Sequence, residues 1–234
     1  MTNHKDAKRL IAQNRYTIDD LMQIVAILRG EGGCPWDMEQ THASIRNDLI
    51  EETYEVVEAI DGQNPALLRE ELGDLLFQIA FHTQIEQEQG NLVLEDIISD
   101  VSAKMIHRHP HVFGSVEVSG TSEVLSNWDN IKTEEKQRNT LSDKLRAIPP
   151  MLPALMRAQK VAKKCGRFDD VTREDLCARM KQALEQLECG DAPEVAMGEL
   201  LMNATAYAHQ GGFSAEQVLS EETERLIRSV EEQL

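Results

Sequence analysis

Apolar residues recur along this chain at helical rather than strand spacing. Leu21, Ile24, Val25 and Leu28 stand three and four residues apart behind Asp19 and Asp20, two candidate caps, and Gly30, Gly32, Gly33 and Pro35 end the run. A second helix is expected over about 43–60, stopping before Gly62. A third is expected from Pro65 to about Gln89, stopping at Gly90. A fourth covers about Leu94 to Arg108 and halts before Pro110, and 121–138 is also helical in pattern. GGCPWDMEQTH (32–42) and HPHVFG (109–114) read as loops, and residues 1–17 as a polar, flexible extension. The third helix has Leu72, Leu75, Leu76 and Ile79 on one face and Phe77, Ala80 and Phe81 on the other, the pattern of a central helix. Asp74, one turn before Phe77, is therefore expected to be partly desolvated. The fold class predicted is all-α.

The pattern also repeats. ELGDLLFQIAFHTQ (71–84) aligns without a gap with AMGELLMNATAYAH (196–209), which predicts duplicated helical units. The second copy keeps the packing residues and loses charge: Glu71 meets Ala196, and Asp74 meets Glu199. Where a first acidic cluster belongs, the chain reads QALEQ (182–186), with Glu185 out of register. The Pro-containing connector 148–153 is the expected boundary, with a first domain at 18–147 and a degenerate second at 154–234.

Polar positions narrow the chemistry. Glu51, Glu52 and Glu55 on the second helix, and Glu71 and Asp74 on the third, repeat at helical spacing with no Lys or Arg three or four residues away. Glu51 and Glu55 even oppose each other at i,i+4. A charged helix face is the plain reading of the first trio alone. A second acidic pair on a helix with little polar surface points instead to hard oxygen ligands for Mg²⁺ or Mn²⁺ between facing helices. Lys104 and Arg108, at i,i+4 near the end of the fourth helix, are candidates for phosphate oxygens if that helix packs near the acidic ones; helix C-terminal charge is the alternative. Lys132 follows Trp128 by one turn. Trp36 sits in a Gly/Pro loop where a base could stack, or it anchors the loop. His107, His109 and His111 lack the companion ligands of a zinc site and read as loop-shaping.

Composition excludes other classes. A formal charge of −17 argues against a nucleic-acid polymer as partner. No apolar run nears the roughly 18 residues of a membrane span, and the N-terminus lacks the apolar core of a signal peptide. Cys34, Cys165, Cys177 and Cys189 show no metal or redox spacing, which fits free thiols and a cytoplasmic location.

EExxE, fifteen residues, then ExxD is the pattern of the all-α nucleoside triphosphate pyrophosphohydrolases. With GGCPWDMEQTH, LIEETYEVVEAI, REELGDLLFQIAFH, KMIHRHPHVFG and WDNIKTEEK in order, about residues 18–165 resemble the MazG family. The second half departs from that family's C-terminal unit: its acidic set is gone, and Arg225 and Ser229 stand where a Lys and Arg pair belongs. The resemblance implies tandem MazG-like units that form four-helix bundles by homodimerisation. It implies Mg²⁺-dependent hydrolysis of nucleoside triphosphates to monophosphate and pyrophosphate. Glu52, Glu55, Glu71 and Asp74 would then be metal ligands, and Glu51 would orient or deprotonate the attacking water. Lys104, Arg108 and Lys132 would hold the triphosphate, with Trp36 and Trp128 near the nucleotide. A catalytically weak nucleotide-binding regulator or scaffold of the same fold is the competing reading, and a plain helical dimerisation module is a third.

Overall fold

The computed structural model describes residues 4–135, 140–190 and 192–233. Among them every regular element is a helix. The chain divides into two compact units, 1–117 and 118–234.

The first unit holds α1 (His4–Ile11), α2 (Ile18–Arg29), α3 (Pro35–Glu39), α4 (Arg46–Asp61), α5 (Pro65–Glu88), α6 (Leu94–Arg108) and α7 (Pro110–Phe113). The cap of α2 is Thr17 rather than either aspartate: its hydroxyl oxygen accepts from the Asp20 N–H, and the Asp20 carboxylate accepts from Thr17 in return. Arg9 also donates to Asp20. The Thr17 backbone N–H, then the Arg9 and Thr17 side-chain donors, pull the Asp20 carboxyl down to about 2. Residues 4–16 are thus not a loose extension. α1 docks on α2, Leu10 is buried, and the Tyr16 hydroxyl donates to the Leu10 carbonyl. Leu10 is the apolar signal hidden in that polar stretch.

Asn64 caps α5 through the backbone N–H groups of Ala66 and Leu67, with Pro65 in the first helical position. α4 and α5 pack side by side, and α2 crosses α5. Val25, Ile45, Ala80, Phe81 and Ile85 form the core, with Leu21, Met22 and Phe77 against it. The 30–34 turn folds tightly onto α2; a Cβ at Gly33 would collide with the carbonyl oxygens of Ile27 and Leu28. The two predicted loops each contain a short proline-started helix, α3 and α7, because Pro at the first position already has helical φ and no N–H to leave unpaired.

α5 is covered on one side only. Its C-terminal half is buried, whereas Leu72, Leu76 and Ile79 are exposed within the chain, and so is Asp74. The all-round apolar pattern does not make it a central helix of this unit, and Asp74 is not desolvated. Ile50, Tyr54, Val57 and Ile60 on α4 and Ile97, Ile98, Val101 and Ile106 on α6 are exposed as well. α6 packs on α7.

The second unit holds α8 (Thr121–Glu135), α9 (Leu141–Arg146), α10 (Ala154–Lys164), α11 (Arg173–Cys189), α12 (Pro193–Gly211) and α13 (Ala215–Glu231). The end of the predicted 121–138 helix, from 136 on, lies outside the described residues. α11 lies along α12, and α10 crosses α12 as α2 crosses α5. Ala162, Leu176 and Ala206 form its core. The division at 117/118 falls well before the proline connector at 148–153, because α9 packs on α10 and draws the connector into the second unit.

Candidate metal centre

Antiparallel packing of α4 on α5, which follow each other through the short turn 62–64, turns two separated acidic runs into one cluster. Glu52, Glu55 and Glu71 each offer a carboxylate oxygen, and these oxygens lie within 4.8 Å of one another. Among the described residues this is the only such gathering of three or more His, Cys, Asp or Glu. Glu52 and Glu55 are half-buried, and Glu71 is 9% exposed. No ion pair involves any of them among the described residues.

The electrostatics follow. Burial, then the charges of Asp74 and Glu55, push the Glu52 carboxyl up. Burial, then Glu55, push Glu71 up. Each carboxyl therefore holds its proton more tightly in the folded chain than in the unfolded one, and full ionisation at neutral pH costs stability. Three convergent hard oxygens without a cation fit Mg²⁺ or Mn²⁺. Mg²⁺ should raise the thermal midpoint, by about 2.7 kcal/mol of stability at a hundred times its Kd. Glu71→Gln should abolish that response and melt higher than the metal-free parent; a variant that still responds to Mg²⁺ would remove Glu71 from the site.

The other sequence candidates are placed differently. Asp74 is exposed but close enough to act on Glu52 and Glu71 electrostatically. Glu51 is exposed on α4 and outside the three-oxygen group. Lys104 is exposed on α6, which packs on α7 rather than lying against α4 and α5 as the phosphate-clamp expectation required. Arg108 is 6% exposed and engaged within the chain. Trp36 opens α3 and is 59% exposed, so it anchors nothing in the core of this unit. Trp128 and Lys132 are both on α8 of the second unit, with the ammonium 4.9 Å from the indole centroid. His109 donates from Nδ1 to the Met105 carbonyl, which fits its loop-shaping reading.

Two structural centres behind the acids were not anticipated. Arg29, with its side chain 6% exposed, pairs with both oxygens of Glu88, donates to the Asp37 and Gln40 carbonyls, and lies over the Phe81 ring. It ties α2, α3 and α5 together. Further along, His42 and His82 stack with ring centroids 5.0 Å apart, their Nδ1 atoms 2.7 Å apart, and His42 Nε2 lies 2.6 Å from Glu86. One hydrogen serves the Nδ1 contact, so the two rings cannot both be charged there. Burial, then His42, lower the His82 pKa. A histidine depressed on folding contributes stability above its ordinary value of about 6.5, and that stability is lost as pH falls through the folded value. The thermal midpoint should therefore drop between pH 7 and pH 5, and a His82→Phe variant should flatten this slope. An equally steep variant would place the titration elsewhere.

Residues 40–113 match the MazG nucleotide pyrophosphohydrolase domain. A nucleoside triphosphate pyrophosphohydrolase of Escherichia coli (strain K12) is 42% identical over 228 residues, covering 92% of this chain and 87% of its own. The nucleoside triphosphate pyrophosphohydrolase/pyrophosphatase MazG of Thermotoga maritima is 35% identical over 214 residues, covering 89% and 82%. One from Mycobacterium tuberculosis is 34% identical over 149 residues, covering 63% of this chain and 45% of its own. With an acidic α4–α5 site and this identity along nearly its whole length, the chain belongs to the MazG nucleotide pyrophosphohydrolase family.

Proposed function

We propose that this chain is a Mg²⁺-dependent nucleoside triphosphate pyrophosphohydrolase of broad specificity, converting substrate and water to nucleoside monophosphate and pyrophosphate. The observation that carries the reading is the unneutralised convergence of Glu52, Glu55 and Glu71. These three, with Asp74 at the open side, would hold the metal. When bound, Mg²⁺ supplies charge neutralisation of phosphate oxygens and a lowered water pKa. Glu51, exposed beside the cluster, is the carboxylate left to orient the attacking water and take its proton as the α-phosphorus is attacked. Lys104, exposed on α6, is the basic candidate for the pyrophosphate leaving group, a role that needs α6 brought to the acids by a homodimer.

The exposed apolar residues of α4 and α5 support a homodimer, since so many apolar side chains on one helix pair are rarely left to water. Such a dimer would complete a four-helix bundle around the acids. Among the described residues no helix is long and apolar enough to cross a membrane.

The test is pyrophosphate release from all ribo- and deoxynucleoside triphosphates, with Mg²⁺ and with chelator, identifying both products. Metal-dependent monophosphate and pyrophosphate supports the reading. Nucleotide binding without turnover would replace it with the regulatory one.

A further inference from the structure

The second unit repeats the first position by position. Glu71, Gln78, Ala80, Phe81 and Thr83 of α5 correspond to Ala196, Asn203, Thr205, Ala206 and Ala208 of α12, and every one of these is buried. Ile45 belongs with Phe81 to the first core, and Leu176 with Ala206 to the second. Counted from those two residues, Glu51, Glu52 and Glu55 of α4 fall at Gln182, Ala183 and Gln186 of α11. Five acids have become two glutamines, two alanines and Glu199.

That place is not filled in. It is a cavity of about 540 Å³, bordered by Gln182, Gln186, Glu199 and Asn203, with Arg179 on α11 and Arg167 beside it from the turn after α10. Among the described residues neither guanidinium is in an ion pair, and the side-chain amides of Gln182 and Gln186 are unpaired. Asp175, one turn before Arg179, spends its hydrogen bonds on the Thr172 cap of α11 and reaches Arg179 only as a weaker through-space attraction. Asn203 spends Nδ2 on the Glu199 carbonyl and keeps its side-chain oxygen. Phe168 and Met202 add apolar surface.

The lining carries one net positive charge, the reverse of the first unit's site. It offers a divalent cation one carboxylate and two repelling guanidiniums. It suits a small anion, since guanidinium forks match phosphate oxygens. The amides can both donate to and accept from a base edge. The volume lies in the range of small-ligand pockets, about 300–1,000 Å³. A triphosphate brings more charge than this lining balances, and a bare nucleoside would leave both arginines unused.

We infer that this cavity binds a nucleoside monophosphate without a metal, its phosphate on Arg167 and Arg179 and its base against Gln182, Gln186, Asn203 and the Phe168 ring. The ligand is the product class of the proposed reaction. That description rests on the proposed function, whereas the binding does not.

The experiment is calorimetric titration of the full chain, in chelator, with each common nucleoside monophosphate and separately with inorganic phosphate. The parent, Arg167→Gln/Arg179→Gln and Glu71→Gln are compared. Both arginines are exposed, so the double variant should keep its far-UV circular dichroism. One site per chain is expected, weakened about tenfold or more in the double arginine variant and unchanged in Glu71→Gln. Inorganic phosphate should bind about tenfold more weakly than the best nucleotide or worse. No binding in chelator overturns the inference. So does phosphate binding as tightly as every nucleotide, or loss of binding in Glu71→Gln with retention in the arginine variant. Pyrophosphate release from nucleoside triphosphates, measured on the same protein preparations with Mg²⁺ in place of chelator, keeps the two readings separate: its absence would remove the reaction and leave the binding result standing.

Discussion

Glu55→Gln should lower Mg²⁺-dependent pyrophosphate release by about a thousandfold, with the helices intact. Glu55 is the middle of the cluster: like Asp74 it acts on the charge of both Glu52 and Glu71, and it also shares a side-chain hydrogen bond with each. The substitution keeps the shape and removes the charge, so a metal held by three carboxylates loses its central ligand. Metal neutralisation of developing charge is worth several kcal/mol, and about 4 kcal/mol is three decades in rate. The half-buried side chain sits on α4 with no ion pair among the described residues, and a Gln amide can still hydrogen-bond Glu52 and Glu71, so the change relieves repulsion. Turnover and the far-UV spectrum measured together decide it. A variant with parental rates would remove Glu55 from the metal site, whatever the family.

Phe81→Ala should cost about 3–5 kcal/mol of stability. Phe81 is 1% exposed, meets Phe77 edge to face with centroids 5.7 Å apart, and lies under the Arg29 guanidinium. Removing the ring opens a cavity where α2 and α5 cross and strips the apolar floor from the Arg29–Glu88 pair. Urea unfolding of parent and variant gives the difference directly. Ile11→Ala, at a residue 81% exposed, is the control and should change stability by no more than about 0.5 kcal/mol. A small loss at Phe81 would mean that the first unit is held together elsewhere.

Glu55 faces α5 from α4 and Phe81 lies on α5 itself, and α5 shows where sequence reading works. Its start at Pro65, its end before Gly90, and the bounds of α6 at Leu94 and Arg108 follow from local chemistry. Pro, Gly and capping side chains act within one turn, so they can be read in order along the chain. The short helices α3 and α7 carried the same proline signal and read as loops because each spans about one turn. α1 was missed because a single apolar contact, Leu10, holds it. The eroded repeat was legible for the same reason as the long helices: packing residues kept their spacing while the acids were replaced.

By itself the sequence determined an all-α chain, a duplicated helical unit, two acidic runs without local cations, and a family pattern that the comparisons bear out. Tertiary structure decided which acids meet. Glu52, Glu55 and Glu71 converge while Glu51 and Asp74 stay exposed, because the way α4 lies against α5 selects one face of each helix. It also buried Arg108, joined His42 to His82 across forty residues, and set Arg29 against Glu88 across fifty-nine. Spacing along one helix is set by bonds within a few residues. Contacts between helices depend on crossing angle, depth and burial, which the whole packed unit sets.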